Sequence, residues 1–281
     1  MKRQEISVAE LEARARSIRK TVLRMCRARG GYAGQGVALA DLGACVYFSE
    51  MRQDGAGQYH DRYVLSNGHD AVVTYAALHE YGIYSMEELV TYGAPGSRIE
   101  MSPCEQAVPG FEMTAGSLGE GPSQSAGIAY GEKLRGSDRR VYCLLSDGEL
   151  QEGNVWEGVM FAAHHRLDNL VLLIDNNDMQ ASGSTSDVLG VEPVPEKFRA
   201  FGFEAKRVNG NNVREILAAL DLARQTKGRP FALIVDTRLF HGTPSLQAKY
   251  PKAHFLRAPV EEIDAAIAAL EADAAVAKVE A

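Results

Sequence analysis

Two periodicities of hydrophobic residues alternate along this chain, and they predict strands separated by helices. Five short runs have the character of strands, at residues 63–66, 141–145, 170–174, 205–208 and 231–235. The run at 231–235 is apolar throughout, as buried parallel strands are. Helical patterns occupy residues 7–29, 39–50, 71–81, 126–134, 156–163, 213–226 and 259–279, and residues 198–203 end a further helix. The first helix opens with Ser7 and Glu10 at the spacing of a capping box.

The order of these elements predicts an α/β fold, with a doubly wound, mainly parallel sheet flanked by helices. In such folds ligands bind at the carboxyl ends of the strands. The chain shows no internal repeat and no clear linker. We therefore expect one domain over residues 1–281, with a helical N-terminal segment and a C-terminal helix.

Two segments lack periodicity and are expected to be loops. Residues 51–63 are polar and rich in glycine, and residues 91–126 are rich in glycine and proline. A loop as long as the second is usually functional or disordered. Its last part, GSLGEG at 116–121, leads into an apolar helix, and backbone amides at the start of a helix suit an anionic or polar ligand group. This favours a functional loop.

Composition excludes several classes of protein. The formal net charge is −7 and no long basic run occurs, so nucleic acid and anionic membranes are not expected as partners. The sequence has no apolar stretch of about 18 residues and its first 20 residues lack the apolar core of a secretory signal. The four cysteines form no C-x-x-C pair, which favours reduced thiols in a cytoplasmic protein and argues against a zinc site.

The run from residue 144 to residue 178 carries the most specific chemistry. Asp147 and Gly148 follow one predicted strand, and Asn177 follows the next. An Asp carboxylate and an Asn amide are thereby placed at the ends of neighbouring parallel strands. Hard cations such as Mg²⁺ bind oxygen ligands of this kind, together with water and substrate phosphates. The run therefore predicts a metal-bridged diphosphate site.

Four segments in order give the chain a resemblance to the transketolase family. They are VLSNGH at 64–69, TAGSLGEG at 114–121, the segment 147–177 with GELQEGNVWEG, and KFRAFG at 197–202. The resemblance covers about residues 15–260, and over them the chain is similar to the N-terminal, diphosphate-binding part of the family. It implies thiamine diphosphate as the cofactor, with Mg²⁺, or Ca²⁺ or Mn²⁺, as the metal.

The resemblance also implies roles for individual residues. Asp147, Asn177 and the carbonyl of Met179 would bind the metal, and His69, Gly148 and Asn177 would hold the diphosphate. The rings of the cofactor would lie against Gly116, Ser117 and Leu118, and the GELQEG segment adds Glu149 and Glu152 to the cofactor-binding residues. Glu152 resembles a buried Glu at the family's subunit interface. His254 resembles a late active-site histidine, and together with His69 and Glu152 it completes the expected catalytic set.

The resemblance predicts a split enzyme. Transketolases continue beyond this part with a pyrimidine-binding domain, which carries the Glu that activates the cofactor, and with a C-terminal domain. A C-terminal transketolase subunit would supply that domain to this chain, in an α2β2 assembly. The implied activity is that of a transferase, which moves a two-carbon unit from a ketose-type donor to an aldehyde acceptor and works only with the partner subunit.

Two departures from the family pattern bear on the substrate. The family's Gly-His-x-Gly occurs here as Gly31 to Gly34, with Tyr32 in place of the histidine, and its His-Pro occurs as Ser102 and Pro103. Both histidines contact hydroxyls of the ketose donor in the family. A site built to bind a hydroxyl discriminates strongly against ligands that lack it. We therefore expect a modified sugar or a simpler two-carbon donor, with Tyr32 and Ser102 as candidate substrate contacts.

Other interpretations stay open at this point. The two missing histidines leave open a subunit of a decarboxylating α-keto acid enzyme that forms an acyl adduct, although the LQEG and GSLGEG segments argue against it. A non-catalytic cofactor-binding homologue is the third possibility. Asp147 and Asn177 also suit turns that follow strands. His69 and His254 have structural alternatives in loops, and Tyr32 has one as a residue that fills the space of the histidine it replaces.

Overall fold

The computed structural model describes residues 3–53 and 59–279. Its sheet has five parallel strands in the order β1-β2-β3-β5-β4. The strands are β1 (Arg62–Leu65), β2 (Val141–Ser146), β3 (Leu170–Asn176), β4 (Glu204–Asn209) and β5 (Phe231–Asp236). The predicted α/β class with a parallel sheet is confirmed. Residues 54–58 of the loop predicted at 51–63 lie outside the described residues.

Helices connect the strands and cover both faces of the sheet. They are α1 (Val8–Cys26), α2 (Ala33–Ala38), α3 (Ala40–Cys45), α4 (Ala71–Glu80), α5 (Met86–Leu89), α6 (Glu120–Leu134), α7 (Gly153–His164), α8 (Thr185–Leu189), α9 (Val194–Ala200), α10 (Val213–Gln225), α11 (Pro244–Lys249) and α12 (Val260–Val279). A π-helical turn at Val46–Glu50 follows α3, and a 3-10 turn at Gly148–Gln151 follows β2.

Successive side chains of each strand enter two different cores, because strand side chains alternate between faces. Tyr142 and Leu144 of β2 join the core formed with α1, α4 and α10, whereas Cys143 and Leu145 join the core formed with α6, α7 and α9. Both faces of the central strands are therefore buried. This explains why the strand sequences are apolar throughout rather than alternating.

The helix predictions hold best where a local signal defines the element. Ser7 and Glu10 form both hydrogen bonds of the capping box at the start of α1, which ends at Cys26 rather than at residue 29. The prediction that the helix after the long loop starts at residue 126 is wrong, since α6 begins at Glu120. The short helices α2, α5, α8 and α11 were not predicted. Among the described residues, no helix has the length and apolarity needed to cross a membrane.

Candidate functional site

The carboxyl ends of β2 and β3 bring the predicted metal-binding residues to one edge of the sheet. Ser146 of β2 is in register with Asp175 of β3, so Asp147 and Asn177 follow neighbouring strand ends. The Asp147 carboxylate is almost fully buried. Its two oxygens accept hydrogen bonds from the backbone N–H groups of Gly148 (2.7 Å) and Asp178 (2.8 Å). The loop after β3 is thereby tied to the end of β2.

Asn177 and Asp175 form a second polar pair at this edge. Asn177 Oδ1 accepts from the N–H of Met179 (2.8 Å), and Asn177 Nδ2 donates to Asp175 Oδ2 (2.7 Å). The other oxygen of Asp175, which is completely buried, accepts from the hydroxyl of Thr237 after β5 (2.5 Å). Three strand ends are joined in this way, and the amide oxygen of Asn177 keeps a lone pair for a further partner.

The charges at this edge fit a bound cation. Burial raises the pKa of Asp147 to about 6. Burial, with the nearby Asp70 and Asp147, raises the pKa of Asp175 well above its usual value. Among the described residues, no Lys or Arg nitrogen lies within salt-bridge distance of either carboxylate. The described part of the chain also has no cluster of three His, Cys, Asp or Glu groups that could hold a metal, so a metal here would rely on amide and carbonyl oxygens beside Asp147.

Glu149 connects the sheet edge to the loop before α6, and we call its hydrogen bonds the Glu149 network. Its carboxylate is completely buried. Oxygen Oε1 accepts from the Ser66 hydroxyl (2.5 Å) and from the N–H of Gly119 (2.9 Å). Oxygen Oε2 accepts from the N–H of Ser146 (2.8 Å), from its hydroxyl (3.2 Å) and from the amide of Asn67 (3.1 Å). Glu149 therefore fixes the position of the loop through protein contacts of its own.

The loop that was expected to line the cofactor is open to solvent in this chain. Gly116, Ser117 and Leu118 are exposed, while Gly119 is buried beside the Glu149 network. Ser102 lies next to this loop, because a Cβ added to Gly116 would meet its hydroxyl at 3.1 Å. Glu152 is exposed too, and a Cβ added to Gly119 would come within 2.7 Å of its Cβ. The structure thus brings Ser102, Glu152 and the predicted ring-binding residues into one region.

Two imidazoles and two aromatic rings form a compact group that we call the Tyr32 cluster. The ring centres of His69 and His254 are 5.2 Å apart, and Tyr32 lies 5.7 Å from His69 and 5.4 Å from His254. Phe255, which is exposed, packs edge-on against Tyr32 at 5.4 Å. Tyr32, His254, Phe255 and Met179 line a cavity of ≈ 880 Å³. Tyr32 is therefore in direct contact with both His69 and His254, the two histidines that the sequence predicted for the site.

Burial sets the protonation state of the two histidines. It lowers the pKa of His69 to about 4, against an opposing effect of the Glu149 charge. It also lowers the pKa of His254 to about 4, and the neighbouring His69 acts in the same direction. Both imidazoles are therefore neutral at pH 7, and each presents one N–H donor and one acceptor nitrogen.

Two residues of the site were not predicted from the sequence. Gln35 of α2 is fully buried and contacts His254, although 219 positions separate the two. Asp70 directly follows His69 in the sequence, has a pKa that burial raises to about 7, and accepts a hydrogen bond from the Asn67 amide (2.9 Å). Gln35 belongs to no recognisable motif, and only its contact in the folded chain connects it to the site.

This chain is similar in sequence to several known proteins. The model of a family described as "Transketolase, thiamine diphosphate binding domain" matches residues 13–273. A putative uncharacterised transketolase family protein of Sinorhizobium fredii is 42% identical over 267 residues, which are 93% of this chain and 95% of that protein. One subunit of an apulose-4-phosphate transketolase from Actinobacillus succinogenes is 33% identical over 269 residues, 92% of this chain and 97% of that relative.

A solved structure shows the same architecture in a longer chain. The transketolase of Pichia stipitis, in complex with sedoheptulose-7-phosphate, superposes with a TM-score of 0.79 at 25% sequence identity. The match covers 97% of this chain and 45% of the solved chain. This chain therefore spans less than half of that transketolase but nearly all of the two relatives named above.

Proposed function

Because this chain belongs to the transketolase family and carries its thiamine diphosphate-binding domain, we propose that it is the N-terminal subunit of a split transketolase. With a second polypeptide, it transfers a two-carbon unit from a ketose-type donor to an aldehyde acceptor. The observation that carries the proposal is the sheet edge itself. There the buried carboxylate of Asp147 lies next to Asn177, at the strand ends where α/β folds bind ligands. Among the described residues, no cationic side chain lies beside this carboxylate.

The residues of this edge have chemically distinct tasks. Asp147, the amide oxygen of Asn177 and the carbonyl of Met179 would hold Mg²⁺, which takes oxygen ligands and keeps contacts to phosphate. The diphosphate would lie against Gly148, Asn177 and the neutral imidazole of His69, which can donate one hydrogen bond to a phosphate oxygen. Gly116, Ser117 and Leu118 would contact the rings. Once bound, thiamine diphosphate supplies the carbanion chemistry that breaks and makes the carbon–carbon bonds.

The Glu149 network serves this arrangement indirectly. It holds Gly119, three residues from Gly116, to the ends of β1 and β2. In the proposed enzyme, Glu149 therefore sets the distance between the loop that meets the rings and the edge that binds the metal.

A partner subunit would complete each site. Gly116, Ser117, Leu118 and Glu152 are exposed in this chain, although residues that line a cofactor are shielded from water in a working site. We propose that a C-terminal transketolase subunit with a pyrimidine-binding domain covers them, in an α2β2 assembly. The relative from Actinobacillus succinogenes is, by its name, one subunit of its transketolase, which supports an enzyme of more than one chain.

The substrate of the proposed enzyme differs from that of ordinary transketolases. Tyr32 and Ser102 stand where the family has histidines, and the structure has Tyr32 in the cavity beside His254. A relative that resembles this chain over nearly its full length acts, by its name, on apulose-4-phosphate. We therefore propose a non-standard ketose donor, whose polar groups meet a phenol rather than an imidazole.

The experiment is reconstitution with the partner. The chain is purified together with a pyrimidine-domain protein encoded beside it, and aldehyde release is measured with Mg²⁺ and thiamine diphosphate over a panel of ketose phosphates. We expect cofactor-dependent turnover of a modified ketose that exceeds turnover of xylulose 5-phosphate with ribose 5-phosphate. Asp147→Ala is the matched inactive control.

The alternatives have their own outcomes in the same assay. Release of carbon dioxide from pyruvate would favour a decarboxylating enzyme. Efficient turnover of xylulose 5-phosphate would refute the proposed substrate class. If calorimetry detects no cofactor binding with or without the partner, the proposal as a whole is refuted in favour of a non-catalytic homologue.

A further inference from the structure

Gln35 makes a pair of contacts that single out one nitrogen of the His254 ring. The side chain of Gln35 is completely buried in α2. Its Nε2 lies 2.8 Å from His254 Nδ1 and 3.0 Å from the backbone carbonyl oxygen of the same residue. One end of one amide thus faces two atoms of His254.

The carbonyl oxygen decides which end of the amide this is. A backbone carbonyl can only accept hydrogen bonds, so the amide group that faces it must be the NH₂ group. An amide oxygen in that place would lie against another oxygen with no proton between them. Since the NH₂ group donates to both partners, Nδ1 of His254 must be the acceptor. The proton of the neutral ring is then on Nε2.

Stability does not explain the presence of this amide. Oε1 of Gln35 is buried and has no hydrogen-bond partner among the described residues. A buried acceptor without a partner destabilises a fold, and an apolar side chain of similar size would avoid that penalty. The contacts of this side chain are therefore those of its NH₂ group alone.

Anchoring of the His254 segment does not explain it either. Gly31 and Leu256 already exchange two backbone hydrogen bonds, of 3.0 Å and 2.9 Å, which join the start of α2 to the segment that follows His254. Gln35 adds to these contacts one more bond to the backbone of His254 and the bond to its ring, and only the second bears on the ring nitrogens.

We propose that Gln35 is a positioning residue that fixes His254 as its Nε2–H tautomer, so that the ring offers a hydrogen-bond donor, and no acceptor, to a ligand in the cavity beside Tyr32. The ligand atom that this donor fits is an oxygen acceptor, such as a carbonyl, hydroxyl or phosphate oxygen. In the proposed enzyme this ligand is the ketose substrate, and only that identification rests on the proposed function. A histidine tautomer is commonly set by the hydrogen bond that its other nitrogen makes.

The tautomer is measured directly in the full-length chain. Long-range ¹H–¹⁵N correlation spectra of protein with ¹⁵N-labelled histidine, recorded at pH 7, distinguish a protonated from an unprotonated ring nitrogen. The His254→Asn spectrum assigns the resonances. We expect Nδ1 of His254 to be unprotonated and Nε2 to carry the proton. A protonated Nδ1 in the wild-type chain would overturn the proposal.

A pair of matched variants tests the role of Gln35. Gln35→Met keeps the volume and removes the NH₂ donor, so the His254 nitrogens are expected to shift towards the average of two exchanging tautomers. Gln180→Met makes the same substitution at another residue that lines the cavity and is expected to leave the His254 resonances in place. Unchanged His254 resonances in Gln35→Met would refute the positioning role, even if that variant is less stable.

Activity provides a second readout with the reconstituted two-subunit enzyme. Gln35→Met is expected to lower kcat about 10- to 100-fold, the range found when a partner that orients a metal-bound imidazole is removed, and to change KM by less than about threefold. An unchanged kcat would contradict the proposal. A wild-type enzyme without two-carbon transfer would instead refute the proposed function, and the spectra would still decide the tautomer.

Discussion

Glu149→Gln is expected to destabilise the chain strongly, because the carboxylate of Glu149 has five hydrogen-bond donors and the amide has only one acceptor oxygen. If the new NH₂ group takes the place of Oε1, the buried N–H of Gly119 loses its acceptor. If it takes the place of Oε2, the N–H of Ser146 and the amide of Asn67 lose theirs. The first orientation therefore costs less.

The magnitude follows from that orientation. One buried N–H without an acceptor costs about 1–3 kcal/mol. The remaining bonds lose the added strength of a charged acceptor, which contributes roughly another 1 kcal/mol. The Ser66 hydroxyl limits the loss, since it can turn and accept from the new NH₂ group. We expect the free energy of unfolding to fall by roughly 2–4 kcal/mol, a large part of the stability of an ordinary domain.

Urea unfolding of the purified chain, followed by circular dichroism, measures this change. Glu157→Gln, an exposed position on α7, is the matched control and is expected to stay within about 0.5 kcal/mol of the wild type. With the partner subunit present, Glu149→Gln should also weaken thiamine diphosphate binding, because Gly116 to Leu118 belong to the released loop. A destabilisation below about 1 kcal/mol would show that the Glu149 network does not hold the loop as inferred.

Three further predictions concern other parts of the chain. Burial gives Asp147 a pKa of about 6 against an ordinary 3.8, so the folded chain binds this proton more tightly than the unfolded chain does. In urea unfolding without metal, the free energy of unfolding of the wild type should therefore rise by about 1 kcal/mol relative to Asp147→Asn as the pH falls from 7 to 5. Mg²⁺-dependent cofactor binding should weaken over the same pH range. Ser7→Ala removes the cap of α1 and should cost about 1 kcal/mol in thermal unfolding. Gly121→Ala places a Cβ 2.3 Å from Ser66 Cβ and should destabilise by about 1–3 kcal/mol, whereas Gly127→Ala, with no atom within 4 Å, should not.

The central strands and α1 were predictable because their signals are local. A strand buried on both faces must be apolar at every position, as β3 and β5 are over most of their length, and a capping box uses residues three positions apart. The family resemblance came from motifs of the same local kind. The sheet edge with Asp147 and Asn177 followed from the rule that parallel strands end on one side.

The elements that were not predicted depend on contacts between distant segments. Gly34 and Gly36 look like loop residues, yet they lie in α2, where a Cβ on Gly36 would come within 2.5 Å of Val72. Glycine serves close helix packing here, and local pattern rules interpret it as a break. The start of α6 was misplaced for a similar reason, because Gly121 lies against Ser66 of the distant β1 end. Gln35 has no sequence signal at all.

The Glu149 network has a consequence for how the loop before α6 forms and opens. Its donors lie at positions 66, 67, 119 and 146, so the loop acquires its full anchor only when β1 and β2 are aligned. Its amides should then exchange with solvent deuterium at very different rates. Gly119 should exchange only when the sheet opens, while the exposed Ser117, two residues away, should exchange within the native state. The loop is thus anchored at Gly119 and exposed at Ser117, only two residues away. A partner that docks there would need to order only the exposed residues.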